Sequence, residues 1–152
     1  MNNAKSRTTQ WFELAVPTPT KKNVHVQLGV HIEEFAEMCE SMVVETADAN
    51  SLAAWRALTQ CAKIMAKSLK TGEATIRSVD QLELLDSLCD QRVTATGVAH
   101  MFGFNFDAAV EEVDNSNFSK FKDGKPIFDE NGKIAKNMET YFKPSLEKYL
   151  QK

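Results

Sequence analysis

Three glutamates, Glu33, Glu34 and Glu37, stand three and four residues apart, and Glu83, Asp86 and Asp90 repeat that spacing further along the chain. On a helix, residues three or four apart are neighbours on one face, roughly 5–6 Å between Cβ atoms. Each set is therefore an acidic stripe whose oxygens can converge, and packing the two helices side by side would gather six carboxylates around one pocket. Such a cluster repels itself and pushes some of its pKa values up unless divalent cations neutralise it. Oxygen-only ligands favour Mg²⁺ or Mn²⁺ over zinc. Little cationic side-chain charge is nearby in sequence. No Lys or Arg lies between Lys22 and Arg56, and Arg92 is the only one between Arg77 and Lys120. The competing interpretation is two stripes that point to solvent on separate faces. A di-iron bundle would need Glu-x-x-His on two helices, and none of His25, His31 or His100 has an acid three residues before it.

The elements that must carry these stripes are helical. A short helix is expected over about 5–15, ended by Pro17-Thr18-Pro19, since proline restricts itself and the residue before it. Over about 24–47, Leu28, Ile32, Phe35, Cys39, Met42 and Thr46 recur at steps of four and three, one stripe of a helix. A third helix starts from a cap at Asn50 or Ser51 and stops at Gly72. A fourth, over about 78–102, starts from Ser78 or Asp80. It is apolar around most of its circumference, which predicts burial in a bundle, with Gly97 allowing close packing. Gly103 ends it. Asp107 caps a fifth helix over about 108–120. Two glycine turns follow, Asp123-Gly124 and Asn131-Gly132, and Lys143-Pro144-Ser145 introduces a last short helix. The expected fold class is all-α: one domain over residues 1–152, a four-helix core over about 22–120, a short N-terminal helix and an irregular tail over 121–152.

A chain of 152 residues that is 43% apolar and 26% charged suits a single packed globule rather than a disordered or collagen-like chain. No apolar run approaches the roughly 18 residues of a membrane helix, and the N-terminus lacks the pattern of a secretory leader, so a cytoplasmic location is expected. The net charge of -3 makes no electrostatic case for DNA, RNA or an anionic membrane. Charge is unevenly spread: residues 1–119 carry 10 basic and 16 acidic side chains, residues 120–152 carry 8 lysines and 5 acids. Cys39, Cys61 and Cys89 are odd in number and form no CxxC, so buried thiols are expected rather than disulfides or a zinc site. Trp11 and Phe12 are read as apolar anchors of the first helix in preference to a stacking platform.

Glu33-Glu34-Phe35-Ala36-Glu37 resembles the EExxE signature of the MazG-like all-α nucleoside triphosphate pyrophosphohydrolases. Their second signature is usually ExxD, which Glu83-Leu84-Leu85-Asp86 fits literally. Asp90 instead fits the usual register relative to Gly103 and Asn117, where Ser87 stands in place of the expected Glu. A subgroup familiar from bacteriophage genomes carries DALxD followed by VxxxGxA, and Asp86-Ser87-Leu88-Cys89-Asp90 with Val93 to Ala99 resembles it. That subgroup also ends with SNxSK, DGKP, DGK and YFxP segments. The counterparts here are Ser116-Asn117-Phe118-Ser119-Lys120, Asp123-Gly124-Lys125-Pro126, Asn131-Gly132-Lys133 and Tyr141-Phe142-Lys143-Pro144. The resemblance spans about residues 24–150.

The resemblance implies a four-helix bundle of the MazG-like type and a Mg²⁺-dependent enzyme, with Mn²⁺ as a substitute ion. Such an enzyme cleaves (deoxy)nucleoside triphosphates, dNTPs in the first place, to the monophosphate and pyrophosphate. It implies Glu34, Glu37, Asp86 and Asp90 as metal ligands with Glu83 in reserve, and Glu33 as the residue that orients the attacking water. Asn117 and Lys120 match substrate-contacting positions, an amide for base or sugar and an ammonium for phosphate. Relatives form dimers or tetramers, so a homodimer or homotetramer is expected, in the host cytoplasm if phage-encoded. The alternative function is a non-catalytic helical module that binds a cation, a nucleotide or a partner protein.

Overall fold

The computed structural model describes residues 4–130 and 133–150. It is all-α, with α1 (Arg7–Ala15), α2 (Lys21–Glu40), α3 (Ala49–Thr71), α4 (Gln81–Met101) and α5 (Phe106–Phe118), then a 3-10 turn at Glu147–Tyr149. Among the described residues there is no strand, only isolated bridges pairing Lys122 with Lys125 and Phe128 with Ile134. No helix among them is long and apolar enough to cross a membrane.

Side chains satisfy the free amides at four of the five helix starts. Ser6 accepts from the Thr9 amide, Thr20 and Asn23 form a reciprocal capping box, and Asp80 accepts from the amides of Leu82 and Glu83. The cap of α3 is Asp48 rather than Asn50 or Ser51, because its carboxylate accepts from both of their amides at 3.1 and 3.0 Å. α2 stops at Glu40, short of the expected 47. There the Ser41 hydroxyl donates to the Met38 carbonyl at 2.7 Å, and β-branched Val43, Val44 and Thr46 follow, all weak helix formers. α5 begins at Phe106, before the expected cap at Asp107.

Two compact units emerge, one of residues 18–77 with 130 and 133, the other of residues 4–17, 78–129 and 134–150. In the first, α2 and α3 form an antiparallel hairpin, as the pairs Glu40 with Lys63 and Glu33 with Lys70 require. The seam is made mostly of small residues, with Leu69 the exception: Val26, Gly29, Ala36 and Cys39 on α2 are buried, as are Ala66 and Leu69 on α3. A Cβ at Gly29 would lie 2.8 Å from both the Ala66 carbonyl oxygen and Lys70 Cγ, so the helices approach backbone to backbone there. The expected stripe is thus only partly the buried one. Cys39 is covered, but Phe35 and Met42 are 42% and 40% exposed, because the close seam turns the larger side chains away from it. Gly72, with φ +83°, ends α3 in the left-handed conformation that glycine tolerates.

In the second unit, Trp11 and Ala15 of α1 bury against Phe121. The Trp11 and Phe121 rings stack with centroids 5.8 Å apart, which fits the anchoring role expected of Trp11. α5 is clasped by the tail. Ser116 Oγ donates to the Phe142 carbonyl at 2.7 Å, Ser119 Oγ accepts from the Phe142 amide at 3.2 Å, and Thr140 Oγ1 donates to the Ser119 carbonyl at 2.7 Å. Glu112 accepts from the Ser145 amide and from Lys148 Nζ, and the Asn105 amide donates to the Tyr149 carbonyl at 2.9 Å. The Lys143-Pro144-Ser145 segment leads into the 3-10 turn rather than an α-helix. Asp123 and Gly124, with φ of 50° and 72°, form a two-residue turn closed by paired bonds between Lys122 and Lys125. The expected Asn131-Gly132 turn lies outside the described residues.

α4 ends as its glycine foretold. The Gly103 amide bonds the His100 carbonyl and the Phe104 amide the Ala99 carbonyl, a Schellman closure. Its expected burial is not observed: Leu82, Leu85 and Val93 are 78%, 59% and 69% exposed, and only Ala99 is buried. Among the described helices of its unit α4 packs on α5, which covers too little of a helix apolar nearly all round. Gly97 meets no close neighbour, and a Cβ there would touch nothing within 4 Å. The thiols divide: Cys39 sits in the α2–α3 seam, whereas Cys61 and Cys89 are exposed on helix faces that no described residue covers.

The two glycines should respond in opposite directions to alanine. Gly29→Ala is expected to lower stability by about 1–3 kcal/mol through overpacking, whereas Gly97→Ala should raise it by about 0.5–1 kcal/mol through backbone entropy. Urea denaturation of both variants checks this, and a neutral Gly29→Ala would refute the backbone approach.

Candidate functional site

The acids of α2 fall into two kinds. Glu33 is half-buried; Lys70 Nζ donates to its Oε1 at 2.5 Å and Lys133 Nζ lies 3.8 Å from Oε2. The hydrogen bond from Lys70, aided by the charges of both lysines and opposed by burial, holds its carboxyl below the usual glutamate range. Glu34 and Glu37 are exposed, and among the described residues neither makes a salt bridge. The structure therefore keeps the three glutamates together on one helix but ties only Glu33 to basic partners.

Glu83, Asp86 and Asp90 line one side of α4, all exposed, with Ser87 half-buried among them, and among the described residues none of the three makes a salt bridge. The α2 set belongs to one compact unit and the α4 set to the other. Among the described residues no three His, Cys, Asp or Glu side chains form a group that could hold a metal ion.

Ser116-Asn117-Phe118-Ser119-Lys120 divides by face. The serines fasten the tail at Phe142, and Phe118 packs against the Trp11 core beneath the Arg7 guanidinium, 4.7 Å from its ring centre. Asn117 and Lys120 meet each other, with Lys120 Nζ donating to Asn117 Oδ1 at 2.7 Å. That bond leaves the Asn117 amide nitrogen as a donor. Asn117 also lines a cavity of about 410 Å³ walled mainly by apolar side chains of α5, the Phe104 loop and the tail. The polar corner of the cavity is completed by Asp114 and Thr8, whose hydroxyl donates to Asp114 Oδ2 at 2.9 Å. Neither residue stood out in the sequence. The available signal was Asp114, an acid three residues before Asn117 on a helix face that otherwise reads Ala109, Val110 and Val113.

No protein-family model, curated protein or solved structure matches this chain.

The Glu33–Lys70 bond carries a pH signature. A carboxyl with a lowered folded pKa adds stability that is complete above its unfolded pKa and is lost as pH falls through the folded one, a window that opens at the ordinary glutamate pKa and extends below it. Lys70→Met keeps the aliphatic stem over Gly29 and removes the ammonium. It should cost about 1 kcal/mol at pH 7 and flatten the fall in stability on the acid side of the ordinary glutamate range. Denaturant midpoints at stepped pH measure this, and identical pH slopes for the two proteins would contradict it.

Proposed function

We propose that this chain is a Mg²⁺-dependent nucleoside triphosphate pyrophosphohydrolase of the MazG-like type, directed at deoxynucleoside triphosphates, that works as a homodimer or homotetramer in the cytoplasm. The observation that carries the reading is the pair of acidic stripes. Glu34 and Glu37 on α2, and Glu83, Asp86 and Asp90 on α4, stand exposed with no salt bridge among the described residues. Their donors are all carboxylate oxygens, hard ligands of the kind Mg²⁺ takes. Glu34, Glu37, Asp86 and Asp90 would hold the ion, with Glu83 in reserve.

When bound, Mg²⁺ offsets the repulsion between these acids and a triphosphate and polarises the phosphoryl oxygens. Glu33 orients the attacking water. With its carboxyl held below the usual glutamate range by Lys70, it stands as a hydrogen-bond acceptor near neutral pH, which suits positioning better than proton abstraction. Asn117 presents its amide nitrogen to base or sugar, while Lys120 offers an ammonium to phosphate. The exposed apolar length of α4 supports an oligomer in which a second copy covers it and completes a four-helix bundle.

The test is pyrophosphate release from a panel of canonical and modified dNTPs with Mg²⁺. Glu37→Ala and Asp90→Ala should each lower kcat/KM by at least about a hundredfold with unchanged far-UV circular dichroism. No product from any nucleotide rejects the enzyme and leaves the non-catalytic module, whereas full activity in both variants rejects the catalytic assignment of the acidic stripes. Orthophosphate in place of pyrophosphate would move the cleaved bond.

A further inference from the structure

The cavity beside Asn117 is lined by a buried carboxyl group. Asp114 is 5% exposed and lines the cavity, and among the described residues its carboxylate accepts one hydrogen bond, from Thr8 to Oδ2. A buried carboxylate is costly unless N–H or O–H donors surround it, and the apolar walls offer none. At about 410 Å³ the space falls within the roughly 300–1,000 Å³ of small-molecule sites. Phe104, Phe106 and Tyr149 contribute rings to its walls, surfaces against which a flat heteroaromatic packs well.

The geometry points to a guanine-selective base pocket, in which the Asp114 carboxylate accepts from N1–H and the N2 amino group while the Asn117 amide nitrogen donates to O6. The inference rests on the nucleotide reading proposed above and names the base. Asn117 and Asp114 are three apart on α5 and so face the cavity side by side, the amide as a donor because Lys120 occupies its oxygen. An ionised carboxylate is acceptor-only, so the corner reads donor, acceptor, acceptor. Guanine presents the complement: acceptor, donor, donor. Adenine and cytosine would each set a ring nitrogen lone pair against the carboxylate, and thymine or uracil would set its O2 there. A buried polar site rejects a base that leaves its groups unpaired far more strongly than it rejects one of the wrong size.

Calorimetric binding of dGMP, dIMP, dAMP, dCMP and dTMP to the full chain tests this without any metal. dGMP should bind at least tenfold tighter than dAMP, dCMP and dTMP, with dIMP, which lacks the N2 amino group, in between. Asp114→Asn still accepts from Thr8 but presents an N–H, so it should lose dGMP and gain deoxyxanthosine monophosphate, whose C2 carbonyl replaces the amino group. Val110→Trp, which fills the cavity from α5, should abolish binding. Equal affinities in the wild type, no dGMP binding up to millimolar concentration, or a folded Asp114→Asn that keeps its guanine preference would overturn the pocket. If Asp114→Asn does not fold, the dGMP against dIMP comparison in the wild type and Val110→Trp decide. Selective dGMP binding without cleavage of any triphosphate would keep the pocket and reject the hydrolase; equal kcat/KM across all bases would do the reverse.

Discussion

The close approach of α2 and α3 at Gly29 is the constraint on which the α2–α3 unit depends. Without a side chain there, the helix backbones come near enough that the stem of Lys70 lies over Gly29. From that position its ammonium reaches Glu33, one helical turn further along α2. One missing Cβ therefore governs the packing distance and the burial of Ala36, Cys39, Ala66 and Leu69, and it places the lysine that holds the first acid of the stripe below the usual glutamate range. Larger apolar residues such as Phe35 and Met38 are turned outward by the same geometry, which leaves the hairpin with an apolar outer surface.

In the other unit, side-chain bonds to the backbone hold an irregular tail where no strand or long helix could. The collinear segments around Ser116 and Phe142 are two halves of one clasp, since the two serine hydroxyls bond the carbonyl and amide of Phe142. Each of these bonds satisfies a backbone group that secondary structure would otherwise serve. Glu112 repeats the device at Ser145, and that amide is the main reason its carboxyl lies below the usual range. The clasp builds the cavity, because the tail supplies Leu146, Tyr149 and Leu150 as one wall while α5 supplies the opposite one.

Much of the local structure was legible in the chain. Gly72 and Gly103 stop their helices, Asp80 starts one, Asp123-Gly124 turns, and the acids of α2 and α4 share helix faces, because caps, left-handed glycines and helical periodicity are short-range effects. Long-range choices were not legible. The apolar stripe from Leu28 to Thr46 marks a helix but overruns its end at Glu40, and the buried seam is shifted toward Val26, Gly29 and Ala36, since which face is covered depends on how closely the partner can approach. Gly97 and Gly29 look alike in a sequence, but only Gly29 has a backbone against it. Cys61 and Cys89 lie on apolar-patterned helices and are nonetheless exposed, because α3 and α4 each have more apolar face than their neighbours within a unit can cover.

The chain by itself determined an all-α architecture, the punctuation of its helices, and two acidic stripes with a donor chemistry suited to a hard divalent cation. These follow from interactions between residues a turn or less apart, which sequence spacing encodes directly. Tertiary structure alone decided that Lys70 would hold Glu33, that Ser116 and Ser119 would bind the tail, and that Asp114 would be buried beside Asn117 with Thr8 against it. The hydrogen-bonded pairs among these are separated by 23 residues or more, as far as 106 between Thr8 and Asp114. Such contacts form only where packing of whole helices brings them within bonding distance, a distance that no local pattern records.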